Sequence, residues 1–246
     1  MRGPMLNSRR ISVMVPLSGL VLSAAASAQQ RPAIAEQIAK TYGIDSWKQV
    51  EAIRYTFHID AGPKLKLSRS WVWEPKKNQI TYEGPDKAGK PVKVTYSRAQ
   101  LATQPDAVKN EIDPAFFNDQ YNLLFQFHLI WDTGATVEDA GMAKLPLGKG
   151  KARKVVTKYP STGGFTPGDT WELYVEPDGR IKALSFRHGG SAKPTTFIAA
   201  YLDHKKAGPL LFALNHKGKA DGKPARVFFT GVAVKLAGSD TWMEAK

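Results

Sequence analysis

Short segments of alternating apolar and polar residues recur along most of this chain, and turn residues separate them. In RYTFHID, for example, Tyr55, Phe57 and Ile59 alternate with polar residues, which is the two-residue repeat of a strand with one buried face. The other segments are LKLSRSWVWE, QITYEG, VKVTYS, KVVTKY, TWELYVE, IKALSFRH, TTFIAAYLD, GPLLFALNH and ARVFFTGVAV. Turn sequences such as EPDGR join them as hairpins. The pattern predicts a mainly β fold of about ten antiparallel strands.

Two apolar segments depart from this strand pattern. AIAEQIAKTY has helical spacing and precedes Gly43, which indicates one N-terminal helix. FFNDQYNLLFQFHLIWD has helical spacing at first but alternates from Phe125 onward. We therefore expect a short central helix, with Asp113 as N-cap and Pro114 in its first turn, that changes to extended chain near Phe125.

A sheet of about ten strands must curl or close to hide its edges and its apolar face. When it closes only partly, other apolar segments have to cover the concave side. The two helical segments are the apolar segments left for this role. The predicted architecture is a half-closed antiparallel β-barrel with an N-terminal helix and a central short helix across the concave face.

Residues 1–28 have the pattern of a signal peptide. Three arginines precede an apolar run, and Ala26-Ser27-Ala28 is a small-x-small cleavage site. SRRISV partly matches a twin-arginine signal, but Ser12 stands where a large apolar residue is preferred, which favours general secretion. We expect cleavage near Ala28, a periplasmic location and one barrel domain over residues 29–246. The chain has no cysteine, which excludes a lipid-modified Cys anchor and disulfides.

The chain is strongly basic, with a net charge of +13, of which +10 remains without the three arginines of the predicted signal. Such a charge favours anionic surfaces, and export makes a membrane surface a better partner than nucleic acid. Candidate contacts in or beside Gly/Pro-rich connections are Lys144, Lys149, Lys151, Arg153, Lys154, Lys205, Lys206, Lys217, Lys219 and Lys223. The alternative is a lysine-rich surface that only keeps the protein in solution.

The aromatic residues suggest a site for an apolar ligand, because a curled sheet under a helical cover can enclose an apolar cavity. The predicted cavity lining is Phe117, Tyr121, Leu124, Phe127, Trp131, Trp71, Trp73 and Phe57. This favours a non-enzymatic protein that binds or carries a lipid or acyl chain, with no cofactor. The alternative is an interaction module in which the same side chains are ordinary core.

A resemblance supports the first interpretation. DPAFFNDQYNLLFQFHLIWD, followed by YPSTGGFTPGDTWELYVEPDGRIKALSFRHGG, resembles exported bacterial proteins similar to the outer-membrane lipoprotein-carrier (LolA-like) superfamily, over roughly residues 34–234. The resemblance implies a half-closed antiparallel barrel with helices across its concave face, around a cavity suited to acyl chains. Superfamily members that sit in the outer membrane use a lipidated Cys, and this chain has none.

The sequence offers little for catalysis. It contains no Gly-x-Ser-x-Gly elbow, no phosphate-binding glycine loop and no HExxH helix. The close pairs are His58 with Asp60 and His128 with Asp132, and a metal site would need a third ligand. STGGFTPGD is glycine-rich but lies between strands, so we interpret it as a turn that borders the cavity mouth. A hydrolase with an unrecognised site remains the third hypothesis, and no metal site is predicted.

Overall fold

A computed structural model describes residues 31–63, 65–164, 166–189 and 195–246, and the predicted signal peptide, residues 1–28, lies outside them. Twelve strands in the described residues form one antiparallel sheet. They are β1 (Val50–Asp60), β2 (Lys66–Glu74), β3 (Gln79–Pro85), β4 (Pro91–Ser97), β5 (Thr136–Lys144), β6 (Lys151–Lys158), β7 (Thr170–Val175), β8 (Ile181–Arg187), β9 (Thr196–Ala207), β10 (Leu210–Ala220), β11 (Lys223–Leu236) and β12 (Trp242–Glu244).

The strand order is β4-β3-β2-β1-β11-β10-β9-β8-β7-β6-β5, and β12 pairs with β11. The N-terminal hairpins therefore join the C-terminal meander through the β1–β11 pairing, in which Phe57 lies opposite Phe229. β4 and β5 form the two edges, and no ladder joins them within the described residues. The predicted half-closed antiparallel barrel is confirmed.

Two strands were not predicted. β5 has the sequence TVEDAGMAK, and its pairing with β6 is interrupted by a register shift between Asp139 and Met142. β12 has three residues. Neither carries the apolar alternation of a half-buried strand, because one is a polar edge and the other is too short to show a period.

The N-terminal helix α1 (Ala33–Thr41) covers part of the concave face and buries Ile34 and Ile38. It ends before Gly43, which has φ of +99° and would bring a Cβ within 2.4 Å of the Pro209 carbonyl oxygen. Glycine is therefore required there for both conformation and space. α1 also contacts the β7–β8 hairpin, where Thr41 Oγ1 donates to the Asp178 carbonyl at 2.9 Å.

The central helix α2 (Asp113–Trp131) corrects one prediction. The chain does not become extended near Phe125. It stays helical to Trp131, with one non-helical residue at Leu124. Because side chains on nearly all sides of α2 are buried against α1 and the sheet, its sequence has no single apolar stripe, and the apparent alternation does not indicate a strand.

The start of α2 differs from the prediction as well. A π-helical turn, Val108–Ile112, leads directly into the helix, so Ile112 and not Asp113 is the N-cap. The Asp113 carboxylate instead accepts hydrogen bonds from Tyr96 Oη and Arg98 Nε, both at 2.9 Å. None of the helices in the described part of the chain combines the length and the apolarity needed to cross a bilayer.

Candidate ligand-binding grooves

The N-terminal half of α2 separates two grooves on the concave side of the sheet. The first, which we call the aliphatic groove, lies between β2–β4 and the Val108–Ile112 turn and has a volume of about 630 Å³. Its lining residues are Leu67, Arg69, Tyr82, Pro85, Asp86, Lys87, Val92, Val94, Gln104, Pro105, Ala107, Val108, Glu111, Ile112 and Ala115. Most of these side chains are aliphatic, and the charged ones come from the wall beside α2 and from the β3–β4 turn.

A buried ion pair fixes the wall of the aliphatic groove. Asp119 on α2 is fully buried, and its Oδ2 accepts hydrogen bonds from Arg69 Nε at 2.7 Å and from Trp71 Nε1 at 2.8 Å. Asn118 Nδ2 donates to the other carboxylate oxygen at 3.0 Å. Because charged groups are stable in the interior only when they are paired and hydrogen-bonded, this cluster holds α2 in one position against β2.

The second, aromatic groove lies on the other side of α2 and has a volume of about 440 Å³. Its lining residues are Pro114, Phe117, Asn118, Tyr121, Asn122, Thr166, Asp169, Trp171, Phe186, His188, Thr195 and Phe197. At its mouth His188 Nδ1 lies 3.0 Å from Asp169 Oδ1. Residues of STGGFTPGD therefore border a groove. Several aromatic rings line the aromatic groove, whereas Tyr82 is the one aromatic residue among those that line the aliphatic groove.

The predicted cavity residues occupy two environments. Phe117 and Tyr121 line the aromatic groove. The other six pack in the core beneath the grooves, and they are Leu124, Phe127, Trp131, Trp71, Trp73 and Phe57. Leu124, Phe127 and Phe57 are fully buried, whereas Trp131 and Trp73 are partly buried and both contact the Trp47 ring at a tilted angle. The role of this set as a ligand lining stays a prediction.

Sequence reasoning did not single out the aliphatic residues of the larger groove. Val92 and Val94 alternate with polar residues on β4, and Leu67 continues the face of Trp71 on β2. That alternation places them on the concave face, but only the position of the Val108–Ile112 turn shows that they line a groove. The sequence therefore indicates which face of the sheet these residues occupy, but it does not indicate that they line a groove.

One of the two predicted His/Asp pairs forms. His128 Nδ1 lies 3.0 Å from Asp132 Oδ1, and its Nε2 lies 3.0 Å from Gln120 Oε1, so both ring nitrogens have partners. Burial would raise the pKa of Asp132, but hydrogen bonds from His128, Tyr159 and Tyr121 outweigh it and hold that pKa below its ordinary value. The cluster ties the end of α2 to the β6–β7 connection.

The other pair does not form a site. His58 Nε2 lies 2.7 Å from Thr230 Oγ1 and its ring stacks on Phe228, whereas Asp60 accepts a hydrogen bond from the Gly62 amide. Within the described residues, no group of three His, Asp or Glu side chains is arranged to hold a metal ion.

Five of the predicted anionic-surface residues lie on two strands, Lys151, Arg153 and Lys154 on β6 and Lys205 and Lys206 on β9. Arg153 pairs with Asp139, Lys154 with Glu172 at 3.2 Å, and Lys205 with Asp203 at 3.7 Å. Lys151 and Lys206 form no ion pair with a described residue. Their contact with an anionic surface stays a prediction.

Solved structures include similar folds. A LolA superfamily protein from Nitrosomonas europaea matches with a TM-score of 0.43 and 7% identity over 80% of this chain and 92% of that chain. A DUF1329 family protein from Desulfovibrio piger matches with a TM-score of 0.42 and 7% identity over 85% and 94%. Lipoprotein LppX from Mycobacterium tuberculosis matches with a TM-score of 0.32 and 9% identity over 86% and 99%.

No protein-family model matches the chain, and no curated protein matches its sequence. The predicted resemblance to the LolA-like superfamily thus reappears among solved structures as a likeness of fold alone. What the chain binds has to be argued from its own grooves.

Proposed function

We propose that the chain is an exported, periplasmic, non-enzymatic protein that binds and carries an apolar ligand, and that the aliphatic groove holds the acyl chain. The observation that carries this proposal is the groove itself, about 630 Å³ of space walled by aliphatic side chains of β2–β4, α2 and the Val108–Ile112 turn. Its volume falls within the range of about 300–1,000 Å³ that is usual for small-molecule sites. Export rests on the pattern of residues 1–28.

The side chains of the aliphatic groove suit an acyl chain better than an aromatic ligand. Leu67, Val92, Val94 and Ile112 offer no hydrogen bonds from their side chains, so affinity would come from burial of methylene groups at about 0.8 kcal/mol each. Eight buried methylenes would contribute about 6 kcal/mol before the cost of association. Lys87 at the β3–β4 turn supplies a cation where an anionic head group would emerge.

The aromatic side chains predicted from the sequence keep a place in this proposal. Phe117 and Tyr121 would contact a ligand in the aromatic groove, whereas Phe127 and Leu124 are buried in the core. A filled-core interaction module and a hydrolase are the competing functions. The filled-core module predicts that the aliphatic groove binds no acyl chain.

The first prediction concerns Ala115, whose methyl group lies in the wall of the aliphatic groove. Ala115→Trp should place an indole in the groove and weaken binding of a fluorescent fatty acid at least about 10-fold, because displaced methylenes lose their burial. The measurement is a titration of the probe in solution, without vesicles, with circular dichroism to establish that the sheet is retained.

Ala200→Trp is the matched control, since Ala200 lies on β9 opposite Lys217 of β10 and lines neither groove. It should bind the probe like the unmodified protein. If the unmodified protein does not bind the probe, the acyl-chain proposal is wrong and the result favours the filled-core alternative. If Ala115→Trp binds as tightly as Ala200→Trp, the ligand lies elsewhere, and the predicted aromatic lining becomes the next candidate.

A further inference from the structure

The two grooves open at the same end of the barrel. In an antiparallel meander the β1–β2, β3–β4 and β10–β11 turns all lie at one end of the sheet, as the pairings of Asp60 with Lys66, Pro85 with Pro91 and Ala220 with Lys223 show. The aliphatic groove is lined by the β3–β4 turn. The aromatic groove is lined by the β6–β7 and β8–β9 connections at this end. We call this end, as far as it is described, the groove-mouth rim.

The groove-mouth rim carries basic side chains that have no acidic partner. They are Lys66, Lys87, Lys90, Lys217, Lys219, Lys223 and Arg226. None of them lies within 4.0 Å of a carboxylate oxygen of a described residue, unlike many basic residues elsewhere in the fold. Arg226 Nε donates to Asn215 Oδ1 at 2.7 Å. The lysines lie in or beside the turns and can contact an anionic partner.

The acidic residues of the rim are turned toward the backbone. Asp86 Oδ1 accepts from the amides of Ala88 at 2.9 Å and of Lys90 at 2.8 Å. Asp221 Oδ1 accepts from the Thr196 amide at 2.8 Å, and Asp60 Oδ1 accepts from the Gly62 amide at 3.2 Å. These carboxylates stabilise turns and form no ion pair with the neighbouring lysines among the described residues.

The rim also exposes an apolar side chain. Leu65, in the β1–β2 turn and next to Lys66, is 49% exposed. It is one of three large apolar side chains so exposed among the described residues, with Met142 on β5 and Leu202 on β9. A leucine beside lysines at a loop tip has the composition of a segment that enters the head-group layer of an anionic membrane.

The opposite end of the barrel differs in its charge pairing. There Lys77 pairs with Glu74 at 2.7 Å and Arg180 with Asp178 at 2.7 Å. The β5–β6 turn at that end nevertheless keeps Lys144, Lys149 and Lys151 without an ion pair to a described residue. These three lysines are a natural comparison, because they have the same charge as the rim lysines and lie away from the grooves.

We propose that the groove-mouth rim docks on an anionic lipid surface, with Leu65 in the head-group layer and the mouth of the aliphatic groove facing the lipid. This inference rests on the proposed function, because docking at the mouth lets an acyl chain pass between bilayer and groove without crossing water. Electrostatic attraction is screened beyond about 8 Å at physiological salt. The rim lysines therefore orient the protein only once the rim is in contact with the lipid surface.

The test is cosedimentation with vesicles of phosphatidylglycerol and phosphatidylcholine, against vesicles of phosphatidylcholine alone. Lys66→Glu, Lys217→Glu and Lys223→Glu combined should weaken binding to the anionic vesicles by on the order of 100-fold, since each basic residue near the surface contributes about 1 kcal/mol. Lys144→Glu, Lys149→Glu and Lys151→Glu combined change the net charge equally and should have a much smaller effect. Leu65→Asp should weaken binding about 10-fold and Met142→Asp should not.

Probe binding in solution separates this inference from the proposed function. The rim triple variant should still bind the fluorescent fatty acid, because none of its three residues lines the groove. If both triple variants lose vesicle binding equally, or if the β5–β6 triple loses more, the rim is not the docking surface. If the unmodified protein does not distinguish the two vesicle types, the inference is overturned even when the groove binds the probe.

Discussion

At the scale of single residues, His216 shows how burial sets a response to pH. Its ring stacks on Tyr201 at 3.9 Å, its Nε2 donates to the Ala213 carbonyl at 3.2 Å, and its Nδ1 has no partner among the described residues. Burial lowers the pKa of His216 to about 3, against an ordinary value of about 6.5. The unfolded chain therefore binds a proton that the folded chain excludes, so acid favours unfolding.

We expect the free energy of unfolding to fall as the pH drops below about 6.5, with His216 contributing about 1.4 kcal/mol per pH unit toward its folded pKa of about 3. Above pH 7 the residue is neutral in both states and contributes no slope. His216→Phe should remove this component while keeping the stack on Tyr201. Urea unfolding between pH 7.5 and pH 5 measures both slopes, and equal slopes for the two proteins would show that His216 is protonated normally.

At the scale of elements, Asp119 is a buried contact that attaches α2 to β2 of the sheet. Asp119→Leu would leave Arg69 and the Trp71 indole N–H without their acceptor, which should cost about 3–5 kcal/mol because the guanidinium stays partly buried and unpaired. Arg69→Met together with Asp119→Leu should recover most of that loss. Chemical denaturation of the two single variants and the double variant measures the coupling, and additive losses would show that the pair does not hold α2.

The elements differ in how much of them the sequence could predict. In the ten predicted strands and in α1, the apolar residues of one buried face recur along the sequence, every second residue in a strand and at helical spacing in α1. α2 is covered on nearly all sides, so Phe125 and Leu129 interrupt any single stripe, and local periodicity suggested a strand where tertiary burial makes a helix. β5 is a largely polar edge strand, and β6 is its one strand neighbour in the described sheet.

The grooves were harder to predict than the elements for a related reason. The aromatic residues chosen from the sequence are large and apolar, which is why most of them fill the core, as Phe57 and Phe127 do. Groove walls need residues that remain partly uncovered, such as Val92 and Val94. Which apolar residues stay uncovered depends on how much of the sheet α2 and the Val108–Ile112 turn cover. No local sequence pattern specifies the extent of that cover.

At the scale of the whole molecule, the fold is joined at its centre by the pairing most distant in sequence. β1 lies between β2 and β11, and the edges β4 and β5 each have one neighbour. Opening an edge breaks one ladder, whereas separating β1 from β11 exposes the core beneath Phe57 and Phe229, which pack at 5.7 Å. Local opening should therefore be frequent at the edges and absent at the β1–β11 junction.

We accordingly expect amides of β1, β10 and β11 to exchange with deuterium only through global unfolding, and amides of β4 and β5 to exchange at least about 100-fold faster through local opening. Pairing β1 with β11 closes a loop that contains most of the chain. The entropy cost of closing that loop is compensated only when the complete sheet forms. Hydrogen exchange followed by mass spectrometry across a urea series measures this directly. Equal protection of β4 and β1 would mean that the sheet opens only as one unit, and faster exchange in β1 would mean that its two halves separate first.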